Sequence, residues 1–445
     1  MSADTIAALA TPPGVGGLGV IRVSGSQVRE IARTLLGAVP KPRVASLRSF
    51  RDAAGNPLDQ GIALFFPGPH SFTGEDSLEL HGHGGLVVMD LLLARCLELG
   101  ARLAGPGEFT QRAYLNGKLD LVQAEAIADL IESSTTLAAR LAMGSLQGLF
   151  SRRISALVDQ LIALRTLLEA TLDFPDEDIE VLSRDRISDA LEGLLHSVGS
   201  IMSEAAQGER IREGLTVVIA GRPNAGKSSL LNALLQNDAA IVTPVPGTTR
   251  DLLRCEMQID GLAVKLIDTA GIRDTREPVE QEGVRRAREQ LELANLILWV
   301  YDTRLGLEPE DLSGLPPRIP VTFIRNKIDL GDQPELGLIP VGGQVIGLSA
   351  LTGCGIEELR RHLKSRAGLE GLGEGSFVAR RRHLDALRRG QFAVERAAAS
   401  LHSGIGSEVV ALDLLEAQRA FGEITGQVVP DDLLARIFSS FCIGK

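Results

Sequence analysis

The residues most suggestive of chemistry begin at Gly221, where Gly221-Arg222-Pro223-Asn224-Ala225-Gly226-Lys227-Ser228 satisfies the pattern GxxxxGK[ST]. Glycines at both bends let backbone amides from Asn224, Ala225, Gly226 and on to Ser229 turn inward toward an anion. Lys227 supplies a point charge for terminal phosphates, and Ser228 a hydroxyl for Mg2+. Four more strings follow in order: Thr248-Thr249-Arg250-Asp251, Asp268-Thr269-Ala270-Gly271, Asn326-Lys327-Ile328-Asp329 and Ser349-Ala350. A threonine in the first can sense the last phosphate through magnesium. The second places a carboxylate near the metal and a glycine amide at the phosphate. In the third, Asp329 can accept from the ring and exocyclic N–H groups of guanine, an arrangement that adenine lacks. In the fourth, a backbone amide can donate to the guanine carbonyl. Each string alone reads equally well as a strand-end turn; five in order read as a site for GTP.

The residue after Gly271 is Ile272, so no glutamine stands where Ras-like proteins orient water. Arg250, Arg273, Glu280 and Glu282 are candidates for the missing role, with a monovalent cation held by Asn224. Spacing alone makes Glu280 a helix-capping carboxylate, because Pro278 suits the first helical position.

These strings need strands to carry them. Apolar runs at 216–220, 264–268, 296–301, 321–326 and 345–348 alternate with amphipathic helical stretches, which predicts a mainly parallel sheet with ligands at its carboxyl ends. Before it, short apolar runs at 19–23, 62–66 and 78–80 alternate with turns and with helical stretches at 26–36 and 86–99, an α+β pattern. Leu, Ile and Ala recur at helical spacing over 119–172, 185–212 and 377–440. The expected division is 1–118 α+β, 119–212 helical, 213–370 nucleotide-binding and 371–445 helical again. This makes a multidomain α/β chain whose helical bundle is interrupted by an inserted P-loop, Ras-like GTPase domain.

Composition bounds the rest. The chain has 445 residues, 44% of them hydrophobic, and a net charge of -11, enough for several cores and too acidic to coat nucleic acid with its whole surface. Basic clusters at Arg152-Arg153, Arg380-Arg381-Arg382 and Arg388-Arg389 are local candidates for RNA, or solvated helix faces. Cys96, Cys255, Cys354 and Cys442 stand apart without metal-ligand spacing. No secretory leader or membrane span is read, and a cytoplasmic location is expected.

The strings ATPPGVGGLGVIRVSG, SFTGEDSLELHGHGG, PGEFTQRAYLNGKLDLVQAEAIADLI and the final FCIGK, together with the GTPase strings, resemble the MnmE (TrmE) family of tRNA-modification GTPases across essentially the whole chain. The resemblance implies an N-terminal domain similar to tetrahydrofolate-binding domains, which mediates homodimerisation. It implies a GTPase activated by potassium-dependent dimerisation of its nucleotide domains. It further implies a complex with the flavoprotein MnmG, a heterotetramer or larger. That complex would install a carboxymethylaminomethyl or aminomethyl group at C5 of the wobble uridine of tRNA, using 5-formyltetrahydrofolate or methylenetetrahydrofolate.

By position, Arg22, Glu79, Lys118 and Lys445 match the family's folate contacts. Ser228 and Thr249 match its magnesium ligands, and Asn224 with Thr243, Val245 and Thr248 its potassium site. Pro244, Pro246 and Gly247 complete that loop, which also borders the nucleotide. Glu280 matches the glutamate that orients water, against its reading as a cap. A second function class, a ribosome-assembly switch similar to Era- or Der-like proteins, shares the nucleotide strings but not the 200-odd residues before them.

Overall fold

The computed structural model describes residues 4–173, 180–236, 253–259, 261–268, 291–307, 315–331, 344–367, 376–403, 406–427 and 430–444. By its internal contacts the chain forms two compact units. One comprises Met1–Ala128, Ser145–Leu195 and Ala386–Lys445; the other comprises Asp129–Gly144 and His196–Asp385.

The first unit is built on a six-stranded sheet of β1 (Ile6–Leu9), β2 (Gly16–Ser24), β3 (Ser46–Arg51), β4 (Pro57–Phe66), β5 (Ser77–Gly84) and β6 (Arg102–Leu103), in the order β3-β4-β5-β2-β1-β6. Neighbours are antiparallel except β1 and β6. Helices α1 (Val28–Leu36) and α2 (Leu86–Glu98) cover one face and bury Ile31, Leu35, Leu92 and Cys96 against Ile21, Val23, Leu78 and Leu80. That alternation is the period-two signature of a sheet with one packed face.

Helices α3 (Glu108–Leu115), α4 (Leu121–Glu132), α5 (Thr136–Leu146), α6 (Leu149–Asp173) and α7 (Glu180–Glu213) precede the nucleotide strings. The helical run expected over 119–172 is therefore three helices. Ser133 Oγ donates to the Asp129 carbonyl (2.6 Å), Thr135 Oγ1 accepts from the Ala138 amide (3.1 Å), and Gly148 takes a left-handed φ of 81°. Side-chain oxygens that satisfy helix ends break a helix without breaking its apolar periodicity.

After the nucleotide strings come α9 (Ile356–Arg366), α10 (Arg381–His402), α11 (Ser407–Thr425) and α12 (Asp431–Ser439). Helix α11 packs along α6, with Arg165 donating to Gln418 Oε1 at 2.7 Å. Helical segments from either side of the nucleotide-binding region thus share one unit. The helix expected from residue 377 begins at Arg381. Phe377, Val378 and Ala379 lie outside any helix or strand and are buried, and the Phe377 carbonyl lies so near Gly208 that a Cβ there would sit 2.1 Å from it.

The second unit carries a six-stranded sheet of β7 (Leu215–Gly221), β8 (Leu253–Ile259), β9 (Leu262–Asp268), β10 (Leu296–Asp302), β11 (Val321–Asn326) and β12 (Gln344–Gly347) in the order β12-β11-β10-β7-β9-β8. All pairs are parallel except β8 with β9. Helix α8 (Lys227–Gln236), α9 and the Ala138–Ala142 turns of α5 cover one face, burying Leu230, Leu234, Leu359, Val217, Val264 and Leu298 in a common core. In this unit the Asp129 carboxylate accepts from Arg212 Nε and Arg380 Nη2, both at 2.7 Å on Oδ1. Arg380 of the basic cluster is therefore an ion-pair partner and half-buried.

Candidate nucleotide site and the N-terminal ion pair

Strand β7 ends at Gly221, and the loop to α8 returns through Asn224 and Gly226, both with left-handed φ (59° and 95°). Gly226 has a second constraint: a Cβ there would meet Asn326 Nδ2 at 2.3 Å. Ala225 and Lys227 are buried, while Asn224, Ser228 and Ser229 are exposed. The Lys227 ammonium donates to the carbonyls of Gly221 and Arg222, both at 2.8 Å. The lysine is thereby held inside the loop curl at the start of α8, where amides and helix dipole favour an anion.

Asn326 joins the strings. From the end of β11 its Nδ2 donates to the Ala225 carbonyl at 2.9 Å, and its Oδ1 accepts from the amides of Lys327 (2.8 Å) and Ala350 (3.1 Å). A buried amide side chain with its donor and acceptor both used ties the phosphate loop, the Asn326 turn and the Ser349-Ala350 turn into one piece. Lys327 takes a left-handed φ of 66°, and its ammonium donates to the Asn224 carbonyl at 2.7 Å. Asp329 follows in a short 3-10 turn, Ile328–Leu330, and its side chain is exposed. Ser349 is fully buried, with its amide bonded to the Cys354 carbonyl at 2.9 Å.

Strand β9 reaches Asp268, paired in register with Ile219 of β7, so its carboxyl end adjoins the phosphate loop. Thr243, Pro244, Val245, Pro246, Gly247, Thr248, Thr249, Thr269, Ala270, Gly271 and Glu280 lie outside the described residues, as does the side chain of Asp268. Sequence reading missed Asp302, the last residue of β10. Its carboxylate accepts from Lys327 Nζ at 2.9 Å and from Arg304 Nη2 at 2.7 Å. The Arg304 hydrogen bonds, opposed by burial and aided by Lys327, hold that carboxyl well below the usual carboxylate range. The signal available was a carboxylate closing an apolar strand one residue past the run that was read.

In the first unit Arg22 of β2 and Glu79 of β5 are register partners, and Arg22 donates to Glu79 Oε1 from Nε (3.1 Å) and Nη2 (2.9 Å). His81 Nε2 lies 3.2 Å from Glu79 Oε2, and the guanidinium sits 5.7 and 5.8 Å from the ring centres of Phe72 and Phe109. Lys118 Nζ donates to the Pro69 carbonyl at 3.0 Å, so both cations border the 67–76 loop. Lys445 is outside the described residues. Its neighbour Gly444 lies against Leu9 and Ala10, and a bridge joins Ile443 to Pro106. Ala8, next to Leu9, pairs with Arg22.

The chain matches the MnmE helical domain over residues 121–442 and the N-terminus of the GTP-binding protein TrmE over residues 5–118. It is 53% identical to the tRNA modification GTPase MnmE of Chromohalobacter salexigens, covering 99% of this chain and 98% of that one. It is 55% identical to the protein of the same name from Methylococcus capsulatus, over 99% of both. The chain belongs to the MnmE family of tRNA modification GTPases. A crystal structure of an Aquifex aeolicus Era variant with GDP and aluminium fluoride is 30% identical over 40% of this chain and 66% of that one, with a TM-score of 0.29. Membership makes the chain a GTPase, and the three expected components are those of the family: a TrmE-type N-terminal domain, the MnmE helical domain and the phosphate-loop domain. Among the described residues no helix is long and apolar enough to cross a membrane.

Proposed function

We propose that the chain hydrolyses GTP at the carboxyl ends of β7, β9, β10, β11 and β12 to drive modification of the tRNA wobble uridine. The observation that supports this reading is the Asn326 junction, whose hydrogen bonds tie the phosphate loop to the base turn. Lys227 and the loop amides take the phosphates, Asp329 the guanine edge and the Ala350 amide its carbonyl. The exposed Ser228 hydroxyl at the start of α8, with Thr249, suits Mg2+, an oxygen-seeking ion. Asn224 is held left-handed and exposed. Its side-chain oxygen suits K+, and by family position Thr243, Val245 and Thr248, outside the described residues, are assigned to the same ion. When bound, the two ions neutralise charge on the phosphates; Glu280 orients the attacking water.

In the first unit, the Arg22–Glu79 pair, backed by buried Phe109 and flanked by exposed Phe72, suits a folate, whose pterin donates N–H groups and stacks on Phe72 and whose tail is anionic. Lys118 and Lys445 serve the tail. The protein acts as a cytoplasmic homodimer with MnmG, on tRNA, with 5-formyltetrahydrofolate or methylenetetrahydrofolate as one-carbon source. The domain division at 118, 212 and 370 belongs to the same reading.

One experiment tests the site: single-turnover hydrolysis in K+ and in Na+ at matched ionic strength, on the parent, Glu280→Ala and Asp329→Asn. K+ should stimulate the parent, Glu280→Ala should lose about two to four powers of ten in turnover with GTP affinity retained, and Asp329→Asn should gain affinity for xanthosine triphosphate. Equal rates in both salts, or guanine preference unmoved in Asp329→Asn, would sink the reading.

A further inference from the structure

Among the described residues three that are not glycine have a left-handed φ: Arg43, Asn224 and Lys327. Two of these are joined to each other, through the Lys327 ammonium on the Asn224 carbonyl at 2.7 Å. Such conformations cost roughly 1–3 kcal/mol each and persist where surrounding contacts over-determine them. The contact that over-determines this pair comes from a third strand. Asp302 closes β10 in register with Asn326 of β11, and the Thr303 amide donates to the Asn326 carbonyl at 3.0 Å.

The Asp302 side chain is 5% exposed and both its oxygens are used. Oδ1 accepts from the Arg304 amide and Nε, each at 3.0 Å, and Oδ2 accepts from Arg304 Nη2 and Lys327 Nζ. Burying a carboxylate with two cations is not a cheap route to stability, since apolar residues of like volume often serve as well. What the carboxylate provides is direction. It fixes the lysine head at one point, from which the ammonium can also reach the phosphate loop.

The geometry assigns Asp302 as a positioning residue for nucleotide retention: by holding the Lys327 ammonium on the Asn224 carbonyl it locks the base turn to the phosphate loop. It touches no reacting atom. Losing it loosens both halves of the receptor together, so release of guanine nucleotides quickens while the chemical step of bound GTP is left in place. This rests on the proposed nucleotide site.

The test is stopped-flow displacement of fluorescent GDP, with single-turnover hydrolysis of GTP, on full-length Asp302→Ala, Asp302→Asn, Lys327→Ala and the Asp302→Ala/Lys327→Ala double variant. Asp302→Ala should speed GDP release about 10- to 100-fold while single turnover stays within about threefold of the parent. Asp302→Asn keeps the shape without the charge, guards against misfolding of the alanine variant, and should speed release at least about threefold. The double variant should release GDP like Lys327→Ala alone, because the two act as one unit. Parental release in Asp302→Asn would overturn the assignment. So would a further tenfold acceleration on adding Asp302→Ala to Lys327→Ala, since a purely structural carboxylate would add its effect independently. Failure of the site itself reads out elsewhere, as unchanged base preference in Asp329→Asn.

Discussion

Glu108 shows how strongly a side chain's neighbours can set its charge. It accepts from Arg102 Nη2 (2.5 Å), from Arg112 Nη2 (3.1 Å) and from the Gly105 amide (2.8 Å). Burial works against the ionised form, but the Arg102 bond, the amide and Arg112 outweigh it and hold the carboxyl at about 2, against an ordinary value of 4.5. A depressed folded-state pKa means that the unfolded chain binds the proton more readily. The stabilisation is therefore complete above about 4.5 and drains away as pH falls toward 2. Glu108→Gln should lower the melting temperature at pH 7 and shrink the loss between pH 7 and pH 3. An unchanged acid slope in that variant would mean that the three donors do not set the charge. The string PGEFTQRAYLNGK contains Glu108, but not the reason for its charge, since Arg102 lies outside that string and meets Glu108 only through the turn before α3.

Among the elements, the central parallel strands β7 and β10 were legible as continuous apolar runs buried on both faces, and β11 was bounded as read. Strand β8 was not, for a physical reason: Cys255, Met257 and Ile259 alternate with Arg254, Glu256 and Gln258, and an edge strand half in solvent has no apolar run to find. The phosphate loop and the Asn326 turn were legible because their chemistry needs fixed residue types. Asp302 was not, since its role depends on two cations that arrive from a neighbouring strand and a following turn. A packing constraint invisible in sequence lies between α10 and α11, where a Cβ on Gly390 would meet Phe421 Cε1 at 2.1 Å. Alanine favours a helix interior over glycine by about 1 kcal/mol, whereas overpacking a tight core costs about 1–3 kcal/mol. Gly390→Ala should therefore be neutral to destabilising by up to about 2 kcal/mol in chemical denaturation, despite the better helix former. A clear gain in stability would show that the ring has room to move.

For the whole molecule, a net charge of -11 discourages indiscriminate association, so exposed apolar surface calls for an explanation. On the first unit Val15 is 92% exposed, Leu18 57% and Leu86 53%, all three bordering one cleft, and Val87 and Leu91 stand exposed a turn apart on α2. Such a patch suits the proposed homodimer contact. The double substitution Val87→Glu and Leu91→Glu should shift the sedimentation mass toward the monomer with the far-ultraviolet spectrum unchanged; a dimer undisturbed by both would place the contact elsewhere.

The Asp129 clamp has a consequence for how this molecule came to be assembled and how it can be rebuilt. Arg212 stands just before the nucleotide-binding sheet and Arg380 just beyond it, and both guanidinium groups rest on one carboxylate oxygen. Within the second unit the polypeptide thus enters and leaves the sheet-bearing segment beside a single carboxylate. A segment whose ends meet can be lifted out, or dropped in, at little cost in chain entropy. The clamp does not make the segment separable, because Ala138, Leu141, Ala142 and Ile211 share one core with the sheet, and a short bridge in place of the residues between Arg212 and Arg380 should expose that apolar face.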